Sequence, residues 1–306
     1  MKNVLVIGSI NVDYVIHTDR LPALGETLTG NNFAMNFGGK GANQAVALAK
    51  TGSNVKMLGA VGKDLSGELA INNLKSFGID TSDVLTVEAP TGAAVITVCK
   101  GDNHIILDIG ANAFVTPDVI AERESLFDWA DYVVMQYEIP MESVIYAAQL
   151  TKKHGKKVIL NPAPVKEADP ELFRYVDLII PNEFEANLIT GIFPENKETI
   201  EASILALQKL GCENAVITLG KRGCAYTTDE GIAYAGIYPV KVVDTTAAGD
   251  SFIGGLCKCL CEGKDMNEAV LYASAVSSIT VSRNGAGISI PTADEVTEFL
   301  KTHTIV

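Results

Sequence analysis

The stretch VLVIGSINVD, Val4 to Asp13, decides how the rest of the chain is read. An apolar, β-branched run that ends on glycine and passes into Asn11 and Asp13 reads as a buried strand with polar side chains at its exit. The run is too short for a secretion signal. Similar runs follow at Val55–Val61, Tyr132–Gln136, Lys157–Asn161, Leu178–Asn182 and Ala215–Gly220. Between them lie amphipathic stretches at helical spacing: Ala42–Lys50, Gly67–Phe77, Met141–His154 and Ile200–Leu210. Gly52, Gly78, Gly155 and Gly211 stand where helix C-terminal caps belong. Strands alternating with helices predict an α/β fold, a Rossmann-like three-layer α/β/α sandwich around a mostly parallel sheet. From Ser251 to Ser282, and again from Thr292 to Lys301, the pattern is helical only.

Two segments, Asn11–Phe37 and Thr91–Asp108, read as strands and turns with no helix between them. They are expected to pair as a small β-sheet lid, at about 12–36 and 91–108, within a single domain spanning 1–306. A lid there would cover the C-terminal edge of the main sheet, where ligands of open α/β sheets bind. A surface hairpin without a role is the alternative.

Of the 306 residues, 47% are hydrophobic and 20% charged, which suits a globular protein with a large core. The net charge of −13 and the lack of any basic block argue against nucleic-acid binding. Backbone dipoles and Mg²⁺ still let an acidic protein hold an anionic cofactor. No stretch approaches the roughly 20 apolar residues of a membrane span. The six cysteines include no C-x-x-C pair. Cys257, Cys259 and Cys261 read as small buried hydrophobes, and a reduced, cytoplasmic protein is expected.

Three familiar phosphate or nucleophile motifs are missing. No G-x-G-x-x-G follows the first strand, GGKGAN (Gly38–Asn43) lacks the Lys-Ser/Thr ending of a P-loop, and there is no G-x-S-x-G. Dinucleotide-dependent hydride transfer, P-loop hydrolysis and α/β-hydrolase chemistry lose support accordingly. What remains is a set of polar residues at strand exits and helix starts: Asn11, Asp13, Lys40, Asn43, Glu138 and Asp250. If the strands are parallel these converge on one edge, and carboxylates, amides and an ammonium together suit a polyol. Singly, each has a plainer reading as a turn former, a strand end, a loop acid before Pro140 or a helix cap. VDTTAAGDSFIGG, Val243 to Gly255, adds small residues ahead of a helix, where N–H groups and the helix dipole attract an anion. Asp250 at the mouth of such a site repels an anion unless it is there to take a proton.

GGKGANQAVA and DTTAAGDSF resemble the two signature regions of the PfkB carbohydrate kinase family. GSINVD, GETLTG, PTGAAV, GANA, NPAP, PNEFEANLITG, ITLGKRG and SRNGAGISIP extend that resemblance, in family order, over nearly the whole chain. The resemblance implies transfer of the γ-phosphoryl group of ATP to the 5-hydroxyl of D-ribose, giving ribose 5-phosphate. A sister substrate (deoxyribose, another sugar or a nucleoside) is the nearest alternative, and a non-catalytic sugar sensor a rival of another class.

The same resemblance implies Asp250 as the base and the N–H groups of Ala247, Ala248 and Gly249 as an anion hole. Ribose would meet Asn11, Asp13, Gly39, Lys40, Asn43, Glu138 and Asp250, with apolar contacts from Ala94 and Leu107 in the lid. ATP would lie on Thr218, Leu219, Gly220, Lys221, Arg222 and Gly223. Asn182, Gly249 and Asp250 would take its phosphate side, and Ser274 would sit near adenine. Asn182 and Glu185 would hold Mg²⁺ through water, unless they simply cap a helix. Asp244 and the backbone at Thr246, Thr280, Arg283, Gly285 and Ser289 would surround K⁺, unless Asp244 only closes an Asx turn. Three positions depart from the family pattern or lack a role. Ala247 stands where many relatives carry glycine, Ser274 replaces a larger polar residue, and Asp108 is an acid with no assigned task. A homodimer through edge-to-edge pairing of the lid is expected.

Overall fold

The protein's structure is a computed structural model that describes residues 2–100, 102–167 and 169–306. The chain opens with β1 (Asn3–Ile7), then β2 (Asn11–Thr18), β3 (Asn31–Gly38) and α1 (Lys40–Lys50). β4 (Asn54–Leu58) and β5 (Ala60–Gly62) precede α2 (Leu65–Ser76), β6 (Leu85–Val87) and the hairpin of β7 (Gly92–Cys99) and β8 (Asp102–Asp108). Two short helices, α3 (Pro117–Ala121) and α4 (Ser125–Trp129), lead to β9 (Tyr132–Met135), α5 (Met141–Lys153) and β10 (Lys157–Leu160). β11 (Leu178–Ile179), α6 (Glu183–Thr190), α7 (Lys197–Leu210) and β12 (Asn214–Thr218) follow. β13 (Cys224–Thr228) and β14 (Gly231–Ala235) then precede the closing helices α8 (Ala248–Cys261), α9 (Met266–Val281) and α10 (Ala293–Thr302).

The main sheet has eight strands in the order β14-β13-β12-β11-β10-β9-β1-β4. From β4 to β12 every pairing is parallel, and β12-β13-β14 is antiparallel. Alternation along the strands divides the core. Val4 and Val6 face a cluster shared with α1, α8 and α9, whereas Leu5 and Ile7 face one shared with α5 and α7. All four are fully buried. Because both sheet faces are covered, the strands read as continuous apolar runs, as parallel strands do. In α8, a Cβ at Gly254 would strike the Cβ of Ala47 and the backbone of α1. Glycine there lets the two helices lie almost in backbone contact.

The expected sandwich is present, with three differences at element level. The run Val55–Val61 splits after Leu58: β1 has ended there, so β5 leaves the main sheet and pairs with β6. Leu178–Asn182 shortens to Leu178–Ile179, because Pro181 has no N–H for a ladder; pairing resumes only as an isolated bridge between Asn182 and Thr218. The β13-β14 hairpin was not anticipated; its residues carry the β-prone alternation CAYTT…GIAYA around the turn at Asp229–Glu230. The glycines at 52, 78, 155 and 211 do end helices, with φ of 97°, 78°, 67° and 124°.

A second sheet, β3-β2-β7-β8, stands apart from the first. β2 starts four residues after β1 ends, so its first residues stay at the edge of the main sheet. In register, Asp13 lies beside Asn36 on one side and Ala94 on the other, and Ala94 beside Leu107. These four share one row, hence one face.

Candidate active site

The parallel strands β1, β9, β10, β11 and β12 all end at the same edge. Their exits deliver Ser9 and Asn11, Gln136 and Glu138, Asn161, Asn182, and Thr218 respectively. Opposite them begin α1 and α8. Between lies a cavity of about 220 Å³ lined by Lys40, Asn161, Asn182, Glu185, Thr218, Thr245 and Ala247–Asp250, with Ala163, Ile180 and Ile253 as its apolar wall.

Asp250 is 7% exposed, in the first turn of α8. Its Oδ1 accepts from Gln44 Nε2 at 2.9 Å and its Oδ2 from Asn43 Nδ2 at 3.3 Å, both from α1. Ala247, at the N-cap, adopts φ 58° and ψ 14°, left-handed geometry that costs a non-glycine residue about 1–2 kcal/mol. Ala247 to Asp250, at this bend, line the cavity. The N–H of Ala248, expected in the anion hole, donates instead to the Thr245 carbonyl at 3.2 Å, closing the turn. Those of Ala247 and Gly249 have no acceptor among the described residues. A Cβ at Gly249 would meet nothing within 4 Å, so packing within the chain does not require glycine there.

Glu138 is held by one oxygen. Its Oε2 accepts from Ser9 Oγ, from the Lys40 N–H at 3.0 Å and from Asn11 Nδ2 at 3.5 Å. Its Oε1 has no donor among the described residues. Asn11 is oriented by Asn112, whose Nδ2 donates to Asn11 Oδ1 at 2.8 Å while its Oδ1 accepts from the Ile10 N–H at 2.9 Å. Gly39 takes φ 89°, where a Cβ would strike the backbone of Ser9 and Asn11; only glycine lets α1 begin this close to the β1 exit. Burial, then the charges of Glu138 and Asp250, push the Asp13 carboxyl up to about 6. For Lys40, burial alone would lower the pKa, but the carboxylates of Asp250, Glu138 and Glu185 hold it above the usual lysine value. None of them is within 4 Å of its Nζ.

Asn182 and Glu185 form the capping box of α6. Asn182 Oδ1 accepts from the Glu185 N–H at 2.9 Å, and Glu185 Oε2 accepts from the Asn182 N–H at 2.8 Å. Both also line the cavity. Glu185 is 5% exposed and pairs with no cation within 4 Å among the described residues. Burial raises its pKa, only partly opposed by the Asn182 N–H and by Lys40. A buried carboxylate with its charge unmatched fits a hydrated divalent ion in the cavity.

The turn after β12 places its residues in different surroundings. Thr218 lines the cavity, but Leu219 packs into the core and Lys221 points to solvent. Arg222 binds Glu183 and the carbonyls of Pro194 and Glu195. Gly220 (φ 55°) leaves open space at its Cβ, whereas a Cβ at Gly223 would collide with the carbonyls of Ala235 and Gly236. Ser274 is buried on α9 and does not line the cavity. Leu107 is 44% exposed on the outer strand of the lid, while Ala94 is buried. Asp108 receives a local account: its Oδ1 accepts from the Gly110 N–H at 3.1 Å.

Asp244 closes an Asx turn onto Thr246, accepting its N–H at 2.9 Å and its hydroxyl at 2.7 Å, and its Oδ2 accepts from the Gly285 N–H at 3.1 Å. The Val243 and Asp244 N–H groups both donate to the Val281 carbonyl. The segment 243–246 therefore lies against the end of α9 and Gly285, while the Thr280 and Ser289 hydroxyls bond the Val276 and Ala286 carbonyls and Arg283 pairs with Glu295. No cluster of three His, Cys, Asp or Glu residues suited to a metal occurs among the described residues.

Sequence reading assigned no role to Ser9, Gln44, Asn112, Gln136, Asn161 or Thr245. All but Thr245 are buried polar residues, and their neighbours come from distant parts of the chain.

An open α/β sheet that gathers carboxylates, amides and a helix start with unbonded N–H groups at one edge, beside a second sheet, has the chemistry of a phosphotransferase acting on a polyol. Residues 1–293 match the pfkB family carbohydrate kinase profile, and the chain belongs to that family. It is 39% identical over 302 residues to the ribokinase of Haemophilus influenzae, covering 98% of this chain and 99% of that protein. Identity to the deoxyribokinase of Salmonella typhi is 35% over 301 residues, covering 97% and 98%. Among solved structures, Arabidopsis thaliana ribokinase complexed with ribose and ATP superposes with a TM-score of 0.93 at 33% identity, over 98% of this chain and 99% of that one.

Proposed function

We propose that this chain transfers the γ-phosphoryl group of ATP to the 5-hydroxyl of D-ribose, giving ribose 5-phosphate and ADP. The observation that carries this reading is the Asp250 carboxylate, tethered at both oxygens to α1 and lining the cavity beside the unbonded Gly249 N–H. Asp250 accepts the proton of the sugar hydroxyl as its oxygen attacks phosphorus, help typically worth ~10²–10⁴ in rate. The Ala247 and Gly249 amides, with Lys40, stabilise charge on the transferring group; one such donor is worth ~10²–10³. Positioning supplies most of the rest in phosphoryl transfer.

Asn11, Asp13, Asn43 and the free Oε1 of Glu138 read the sugar hydroxyls. Gly39 and Lys40 close that side, and the lid at 12–36 and 91–108 covers it with Ala94 and Leu107. The nucleotide phosphates lie toward Thr218, Gly220 and Asn182, with adenine toward α9 and Ser274. Asn182 and Glu185 would hold Mg²⁺ through water, and the ion would neutralise phosphate charge. Asp244, with Thr246, Thr280, Arg283, Gly285 and Ser289, would hold K⁺ and order the loop behind the anion hole. The exposed Phe33, Met35, Val95, Ile105 and Ile106 on the lid support a homodimer formed there. Among the described residues no helix is long and apolar enough to cross a membrane. Six buried free thiols fit a reducing, cytoplasmic setting.

ADP release measured across ribose, deoxyribose, fructose, adenosine and pseudouridine tests the assignment, and preference for a substrate other than ribose overturns it. Asp250→Asn should keep measurable ribose binding while turnover falls ~10² or more; turnover near wild type removes the base.

A further inference from the structure

We propose that Gln44 is the positioning residue that holds the base of this reaction, through a one-way amide chain running from Gln136 to Asp250. The proposal rests on the kinase reading above. Gln44 is completely buried in α1, directly after the sugar-facing Asn43. Its Nε2 donates both hydrogens, one to Asp250 Oδ1 at 2.9 Å and one to Asn161 Oδ1 at 3.2 Å. Its Oε1 accepts from Gln136 Nε2 at 2.6 Å, and Gln136 is also completely buried. Asn161 is locked in turn by donating to the Ile180 carbonyl at 2.9 Å.

The polarity of this chain cannot be reversed locally. Rotating the Gln44 amide by half a turn would set its carbonyl against the Asp250 carboxylate and Asn161 Oδ1, and its NH₂ against that of Gln136. Every contact would become repulsive, between side chains that are all buried. The arrangement therefore fixes the plane of the Asp250 carboxylate and keeps a donor on Oδ1. Gln136 Oε1 is buried without a partner. Its amide is thus kept in a half-satisfied orientation, at a cost, and the bond it makes is the one that orients Gln44. Asn43 on Oδ2 is the sugar-side tether. Gln44 is completely buried and does not itself line the cavity, so its loss should fall on turnover rather than on sugar affinity. The other charged groups acting on Asp250 are Asp13, Lys40 and Glu185, with Glu138 beyond them. All four are unchanged by substitution at 44.

The test compares wild type, Gln44→Met, Gln44→Glu and Asp250→Asn, measuring kcat and KM for ribose across pH together with ribose binding by calorimetry. Gln44→Met keeps length and removes the donor; kcat should fall 10- to 100-fold with KM for ribose within threefold. Gln44→Glu can donate to Asp250 only while the new carboxyl is protonated. Its kcat should decline relative to wild type as pH rises through the neutral range, a signature that loss of packing does not produce. Should Gln44→Met fail to fold, the Gln44→Glu profile decides alone. The proposal is overturned if a folded Gln44 variant keeps kcat within threefold of wild type, or if the Gln44→Glu profile parallels the wild-type one. Inactive wild type, or fully active Asp250→Asn, instead refutes the kinase reading itself. An inactive Asp250→Asn beside wild-type-like Gln44 variants refutes only the role of Gln44.

Discussion

Replacing Asp13 by asparagine should make the ligand-free protein more stable while depriving it of its sugar. The carboxyl of Asp13 sits on β2 at the mouth of the site, and burial plus the charges of Glu138 and Asp250 raise it from 3.8 to about 6. The folded state then binds the Asp13 proton more tightly than the unfolded chain does. Stability from this group is full below pH 3.8, is lost as pH rises from there to about 6, and stays lost above. The shift of about two units corresponds to ~3 kcal/mol at pH 8 and roughly half of that at pH 5. Asp13→Asn removes the penalty and should gain up to that amount. For a chain of 306 residues this raises Tm by roughly 5 °C. Urea unfolding of wild type and Asp13→Asn at pH 8 and pH 5, each with and without saturating ribose, measures the effect. Ribose should stabilise the wild type strongly and the variant little. A variant no more stable than wild type at pH 8, or a gain that does not shrink at pH 5, would refute the placement of Asp13 among unmatched carboxylates.

Two further outcomes follow from single observations. Gly249→Ala meets open space and improves helix propensity, so unfolding free energy should hold or rise by up to ~1 kcal/mol; kcat should nevertheless drop at least tenfold, because the methyl intrudes beside the anion hole. Loss of stability with normal kcat would mean the glycine serves packing. Asn112→Asp keeps the acceptor for Ile10 but sets a carboxylate against Asn11 Oδ1. The Asn11 amide must then turn, and KM for ribose should rise about tenfold, the worth of roughly one hydrogen bond, with KM for ATP unmoved. An equal rise in both constants, by steady-state kinetics, would point to a general disturbance instead.

Much of this protein was written in local pattern. Strand runs that leave Asn11, Glu138 and Asn182 at their exits are legible because a parallel sheet needs apolar strands and its ends all face one way. Asp250 stands out since an acid after small residues at a helix start is chemically odd. The capping box of Asn182 and Glu185 and the cap glycines depend on residues three or four apart, within reach of sequence spacing. Arg222 shows the opposite: its partners, Glu183 and the Pro194–Glu195 carbonyls, come from segments that spacing does not place beside it.

Only the tertiary structure decided how the catalytic carboxylate is held. Gln44 touches Asp250 across 206 positions and Gln136 across 92. Nothing in the spacing of α1 singles out Gln44. Folding buries it, because α1 lies between the sheet and α8 and leaves no exposed side at that turn. A polar group so enclosed must find its hydrogen bonds inside the protein. Which partners it finds depends on two strand exits and a helix start brought together from three distant segments, and no local pattern encodes that meeting.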